Sequence, residues 1–284
     1  MRFKVIALVD LLCCGAFAAV ILSRTPSNDR DWSVHDRYAA TTSLDSDGIA
    51  HFSELRDFSY IGTTTEIERW IPNATIDSNK IVRAWFIVEP FSAIQAVGHT
   101  YLTFEMADGS AYSFSVESRL TRGQSYSMWA GMMRSYELIY MWGTERDFLA
   151  RRLIYADDIV RMYPLTLKKA QAQELFRQLL ARSNDLVAHP RFYNTLTANC
   201  TNVLAELANE AEPGAVPYDL SWNLPGWSDY FLMRIGYIKT EGTQEQTRAK
   251  HDLSADRSLI ARIATTTSPA DFGKQVRSLL PPVE

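Results

Sequence analysis

Apolar and polar positions divide the chain into three regimes. Val5 to Leu22 is apolar apart from Asp10, with Arg2 and Lys4 before it and Arg24 and a polar stretch after it. From Ile49 to Tyr163, short runs rich in β-branched and aromatic residues alternate with turn residues, which predicts strands at Ile49–Leu55, Lys80–Val88, His99–Met106, Ala111–Ser118, Tyr136–Trp142 and Asp158–Tyr163. Beyond these the apolar spacing becomes helical. Leu175, Phe176, Leu179 and Leu180 mark a helix over Leu167–Arg182, and another begins at Asn199 and runs through Val203, Leu204 and Leu207 to Pro213-Gly214. Thr144-Glu145-Arg146-Asp147 reads as a capping sequence for a shorter helix over Phe148–Ile154, and the charged tail from Thr240 reads as two helical pieces. Strands gathered before helices predict an α+β fold: a mostly antiparallel sheet flanked by helices, plus an N-terminal hydrophobic helix.

One hairpin fixes its own register. Leu102, Phe104 and Met106 share a face of its first strand, and Tyr112, Phe114 and Val116 share a face of its second. A one-residue slip would send the two sets to opposite faces, so Leu102 pairs with Phe114 and Phe104 with Tyr112. Ala107-Asp108-Gly109 suits a three-residue loop with Gly109 left-handed, pairing Met106 with Ser110 and giving the same register. His99 then faces Glu117. The other face carries His99, Tyr101, Thr103 and Glu105 against Glu117, Ser115 and Ser113, and on its own it reads as a solvated polar face.

The N-terminal pattern sets the compartment. The Val5–Leu22 run would span roughly 27 Å as a helix, near the lower limit for a bilayer. Ala16-Phe17-Ala18 also reads as a signal-peptidase site. Residues 1–23 are thus a signal peptide or a membrane anchor, residues 31–240 a periplasmic domain, and residues 241–284 a helical extension. Positive charge before the apolar run puts the rest outside the cytoplasm in either case. Leu11-Leu12-Cys13 lacks the small residues of a lipoprotein signal. With 284 residues, 46% hydrophobic and 22% charged, and a formal net charge of -4, the chain is globular in composition and has no basic stretch for nucleic acid.

Charge and compartment turn attention to cysteine. Cys13 and Cys14 lie in the export segment, which leaves Cys200 without a disulfide partner. A buried, inert thiol is the plain reading. Its place in the first turn of a helix offers another, because the amides and dipole there favour the thiolate. Those N–H groups also suit an oxyanion hole. A Cys at a helix start, a His at a strand start and an acid on the next strand form a papain-like set, in the order His99, Glu117, Cys200. Gly98 before His99 permits close approach of another group.

The spaced blocks Gly98-His99-Thr100-Tyr101-Leu102-Thr103-Phe104-Glu105, Ser115-Val116-Glu117-Ser118-Arg119, Tyr136-Glu137-Leu138-Ile139-Tyr140, Phe192-Tyr193-Asn194-Thr195-Leu196-Thr197-Ala198-Asn199-Cys200-Thr201 and Leu224-Pro225-Gly226 carry a resemblance. In this order they resemble the Lnb N-terminal periplasmic domain family, related to a bacterial lipoprotein N-acyltransferase. The resemblance implies a circularly permuted papain-like (NlpC-type) fold with His99 and Cys200 as the reactive pair. It also implies a membrane lipid or lipoprotein acyl donor.

Three functions fit these readings. One is a cysteine acyltransferase or hydrolase acting through a thioester, with Cys200 as nucleophile, His99 as base and Glu117 orienting the imidazole. Another is a cell-wall peptidase or amidase using the same residues. The third is a non-catalytic periplasmic binding or assembly module. Asn199, Thr201, Tyr101 and Tyr193 are the candidate substrate-binding residues. The remaining histidines are scattered and no dinucleotide or phosphate-loop motif occurs, so neither metal nor cofactor is expected. Met128, Trp129, Met132, Met133 and Tyr136 read as core, or beside a lipid-directed thiol as an acyl-chain wall.

Overall fold

A computed structural model describes residues 2–91 and 94–283, and the side chains within them except those of residues 2–9, 12, 13 and 211. Its strands are β1 (Thr42–Leu44), β2 (Ile49–Arg56), β3 (Ser59–Ile61), β4 (Thr65–Ile67), β5 (Trp70–Asp77), β6 (Ile81–Pro90), β7 (Gly98–Met106), β8 (Ala111–Arg119), β9 (Glu137–Thr144) and β10 (Arg161–Pro164). The α-helices are α1 (Arg2–Leu22), α2 (Met128–Met132), α3 (Glu145–Ala150), α4 (Lys169–Ala188), α5 (Cys200–Ala211), α6 (Ser228–Arg234), α7 (Gln244–Lys250), α8 (Arg257–Thr266) and α9 (Pro269–Arg277). One sheet has the order β1-β2-β9-β8-β7-β6-β10, with β5 also on β2, while β3 and β4 form a small ribbon. All its pairings are antiparallel except the brief β2–β9 contact at Arg56 and Gly143, so the fold is α+β around a mixed sheet.

Alternation along the central strands makes two cores. Phe86, Val88, Leu102, Phe104, Phe114, Val116, Tyr140 and Trp142 point to one face, where α4 and α5 cover them with Phe176, Leu179, Val203 and Leu207. Trp85, Ile87, Tyr101, Ile139 and Met141 point to the other, beneath Phe148, Leu153, Ile260, Ile263, Phe272 and Val276. A sheet covered on both sides explains why its middle strands are so rich in apolar residues.

The hairpin has the expected register, with Leu102 opposite Phe114 and Phe104 opposite Tyr112. Met106 N–H donates to the Ser110 carbonyl at 2.8 Å, and Gly109 has φ +92°. The face expected to be solvated is buried. Thr103, Ser113 and Ser115 are inaccessible, and the Thr103 and Ser113 hydroxyls bond each other at 2.8 Å. Paired hydroxyls lose little on leaving water, which lets α3 and α9 close over them.

Other differences have local causes. β5 contains Pro72 and a left-handed Asn73 (φ 53°), which break the alternation a strand reading needs. The tail forms three α-helices rather than two pieces, because Ser268 caps a new helix at Pro269. The helix expected over Phe148–Ile154 begins at Glu145, and beyond Ala150 it continues as a π-helical turn, Arg151–Tyr155. The Met and aromatic cluster is not core throughout: Tyr136 is buried, whereas Met128 and Trp129 are exposed, Trp129 by 74%. Residues Arg2–Leu22 are helical, and among the described residues no helix is long and apolar enough to cross a membrane.

Candidate active site around Cys200

The site forms where the start of β7 meets the start of α5. Asn199 caps α5, its side-chain oxygen accepting from Thr201 N–H and Asn202 N–H at 2.9 Å each. Its amide nitrogen donates to the Thr195 and Trp222 carbonyls. Cys200, 3% exposed, is the first residue of the helix. The Thr100 and Thr201 hydroxyls, 3.1 Å apart, join helix to strand. Gly98 admits a backbone neighbour, as its type predicted: a Cβ there would lie 2.8 Å from the Glu89 carbonyl and 3.0 Å from Gly226 Cα. Gly226 belongs to the Leu224-Pro225-Gly226 block and donates its N–H to Ala96.

These supports bring His99, Glu117 and Cys200 together. His99 and Cys200 are near enough for each to shift the other's ionisation. His99 Nε2 lies 2.7 Å from Ser115 Oγ and 3.2 Å from Glu117 Oε1, so Nδ1 is the nitrogen left for sulfur. Ser115 Oγ in turn donates to Glu117 Oε1 at 2.8 Å. The carboxylate therefore holds the ring both directly and through a hydroxyl.

Electrostatics follow from this packing. Burial alone would raise the thiol and lower the imidazole, but each stabilises the other's charge. The Cys200 thiol is lowered by His99 and by hydrogen bonds from Thr100. His99, although buried, is raised to about 10 by Glu117 and Cys200. Glu117, also buried, is held well below the carboxylate range by His99 and Arg152. The result favours a thiolate–imidazolium pair.

Three participants escaped the sequence reading. Ser115 was placed on the correct face, yet nothing marked it as a bridge. Arg152, turned inward by the π-helical segment, donates to Glu117 Oε1 at 2.7 Å and reaches Glu89 at 3.0 Å. Glu89 pairs with His99 across β6 and β7, and burial pushes its carboxyl up to about 7. Their one signal was charge inside strongly apolar stretches. π-helical turns often mark functional positions, and no sequence rule foretells this one.

The candidate substrate-binding residues divide. Tyr101 is fully buried in the second core, its ring 6.1 Å from that of His99, and touches no opening. Both ends of the Asn199 amide are occupied by the chain, which makes it a support. Its capping also takes two of the first-turn N–H groups assigned to an oxyanion hole, leaving that of Cys200. Tyr193 lies close enough to Cys200 to feel its charge, and its hydroxyl is 3.5 Å from that of Tyr126. Thr201 lines an apolar cavity of about 340 Å³ that runs between α4, α5 and α6 past Leu102, Leu175, Leu204 and Phe231.

Comparison with known families identifies the domain. The family described as the Lnb N-terminal periplasmic domain matches residues 66–224, more than half of the chain. The chain belongs to that family. Its matched span holds His99, Ser115, Glu117, Arg152 and Cys200, and a family of periplasmic domains accords with the location expected from the N-terminal charge pattern. No curated protein and no solved structure matches the chain.

Proposed function

We propose that the domain is a cysteine acyltransferase or hydrolase of permuted papain-like type, acting on acyl groups of membrane lipids or lipoproteins. The observation that carries the reading is a buried thiol at the start of α5 that shares its electrostatics with a buried imidazole, itself 3.2 Å from the Glu117 carboxylate. The Cys200 thiolate attacks an ester carbonyl carbon, and the oxyanion is met by the Cys200 N–H and the Tyr193 hydroxyl, which burial keeps protonated. His99 gives its proton to the departing alkoxide as the carbon–oxygen bond breaks, leaving a thioester. An amine or water then attacks the thioester, passes its proton back to His99 and releases Cys200 as thiolate. Glu117 and Ser115 keep the ring oriented throughout.

Lipid is preferred over cell-wall peptide because Thr201, the chain neighbour of Cys200, lines an apolar cavity. An N-terminal anchor or signal would bring the domain to the membrane that supplies such chains. Intact-mass measurement after incubation with phospholipid tests the reading. An adduct of acyl mass on Cys200, absent in Cys200→Ser and in His99→Ala, is the expected result. A folded protein whose Cys200 takes no acyl group and resists alkylation until denatured would overturn it, and a peptide-derived adduct would select the cell-wall reaction.

A further inference from the structure

Loop segments converge around the Asn199–Cys200 corner, and they carry almost no charge. Residues 94–97, 124–133, 194–199 and 213–227 contain Asp219 as their one charged residue, in a chain that is 22% charged. Asp219 is itself paired with Arg234. These segments form a continuous rim. Gly226 bonds Ala96, the Thr195 hydroxyl donates to the Met128 carbonyl at 2.9 Å, and Asn199 ties Thr195 to Trp222. From this rim Met128, Trp129, Leu196, Tyr218, Leu220 and Trp227 stand exposed, Leu220 by 70%. So many large apolar side chains around one corner are not needed by the fold, since both cores are closed without them.

Two observations identify what covers the rim. The first is composition: Trp, Tyr, Met and Leu, with Asp219 the one carboxylate within the four segments and Glu212 exposed at the border of one, match the boundary between hydrocarbon and headgroups, where amphipathic rings are favoured. The second is continuity with α1. Arg24, just beyond that helix, donates to the Met133 carbonyl at 3.0 Å, and Arg134 donates to the Leu22 carbonyl at 3.2 Å. The helix thus leaves from the end of the 124–133 segment, with Phe17, Val20 and Leu22 exposed. Arg24 and Arg134 stand at the junction, placed to meet anionic headgroups.

We propose that this rim beds into the interfacial layer of a phospholipid membrane, so that the Asn199–Cys200 corner faces lipid instead of water. The proposal concerns the direction this corner faces and holds whichever bond Cys200 attacks.

The test uses the full chain with Cys13, Cys14 and Cys200 replaced by Ser, which separates it from the chemistry of the thiol. A single environment-sensitive fluorophore is attached at Trp129→Cys, Leu196→Cys or Leu220→Cys, and as a control at Lys80→Cys. Lys80 lies beside the far end of β7, roughly 26 Å from this corner at about 3.3 Å per residue. On vesicles of phosphatidylethanolamine and phosphatidylglycerol, the three rim labels should shift to the blue and be quenched by lipid-borne nitroxides, and the Lys80 label should do neither. Trp129→Asp with Leu220→Asp, both at exposed positions, should leave the circular dichroism unchanged and abolish the shift at Leu196. Rim labels as wet as Lys80 on vesicle-bound protein would overturn the proposal, leaving α1 as the sole contact. Rim labels already shielded without vesicles, in self-associated protein, would overturn it in favour of an interface between copies.

Discussion

Two buried guanidiniums lie on the second face of the sheet, and they are held in different ways. Arg56 has one carboxylate, Asp147, whose oxygens also accept from Phe58 N–H at 2.9 Å and the Tyr60 hydroxyl at 3.0 Å. Arg152 is shared by Glu117 and Glu89, and Arg152 Nε and the Tyr101 hydroxyl lack hydrogen-bond partners, as Arg56 Nη1 does in the first cluster. The first guanidinium thus answers to a single carboxylate. In the second, two carboxyls and an imidazole gather around one cation. Both clusters leave a guanidinium nitrogen unsatisfied, so they are distinguished by how many acids share the cation.

Removing Asp147 should have the largest effect. Asp147→Ala strands Arg56 in the core and is expected to cost about 3–5 kcal/mol in urea unfolding, with thiol reactivity unchanged in whatever protein remains folded. An equal loss from Glu117→Gln would erase the contrast.

The Glu89 proton should produce the next largest effect. Its folded pKa is raised to about 7 from an ordinary 4.5, so between those values the folded chain holds a proton that the unfolded chain has released. Stability should therefore fall as pH rises through that window, by about 3 kcal/mol as an upper figure, and Glu89→Gln should flatten the slope. An unchanged slope in Glu89→Gln would assign the effect to another group.

Glu117→Gln should act mainly on chemistry. Cys200 in the native protein should be alkylated below the pH at which an ordinary thiol ionises, because its pKa is lowered. The substitution removes one support of the imidazolium, and a one-unit rise in the thiol pKa would slow alkylation by about tenfold at pH values below that pKa. His99→Gln should move the profile further toward that of a free thiol. A thiol with an ordinary profile in the native protein would reduce both clusters to structural ones.

Thr103→Val should have the smallest effect. Losing the Thr103–Ser113 bond leaves the Ser113 hydroxyl unpaired and should cost about 1 kcal/mol, with no change in Cys200 reactivity. A large change in reactivity would extend the site along the hydroxyl ladder.

These contrasts follow what the sequence could and could not disclose. Register, turn and helix start are local, so the opposition of His99 to Glu117 and the capping of α5 by Asn199 were readable from neighbouring residues. Arg152 and Glu89 were not, because an arginine reaching the β8 carboxylate through a π-helical turn depends on how a whole segment rewinds. The burial of the polar hairpin face was hidden for a similar reason. Its cover comes from α3 and from α9, the latter more than a hundred residues away, and no pattern in Thr103, Ser113 or Ser115 announces it.

That cover imposes an order on maturation. Arg277 grips Glu145 at 2.7 Å and Phe272 and Val276 fill the second core, so contacts spanning from 130 to nearly 170 positions close the face on which Glu117 and Arg152 lie. Loops that long close slowly. In a chain made from its N-terminus, α5 is complete before residues 257–277 are, and His99 stands until then on a half-covered sheet. Closure of the face around Glu117 and Arg152 is thereby timed to the final stage of folding.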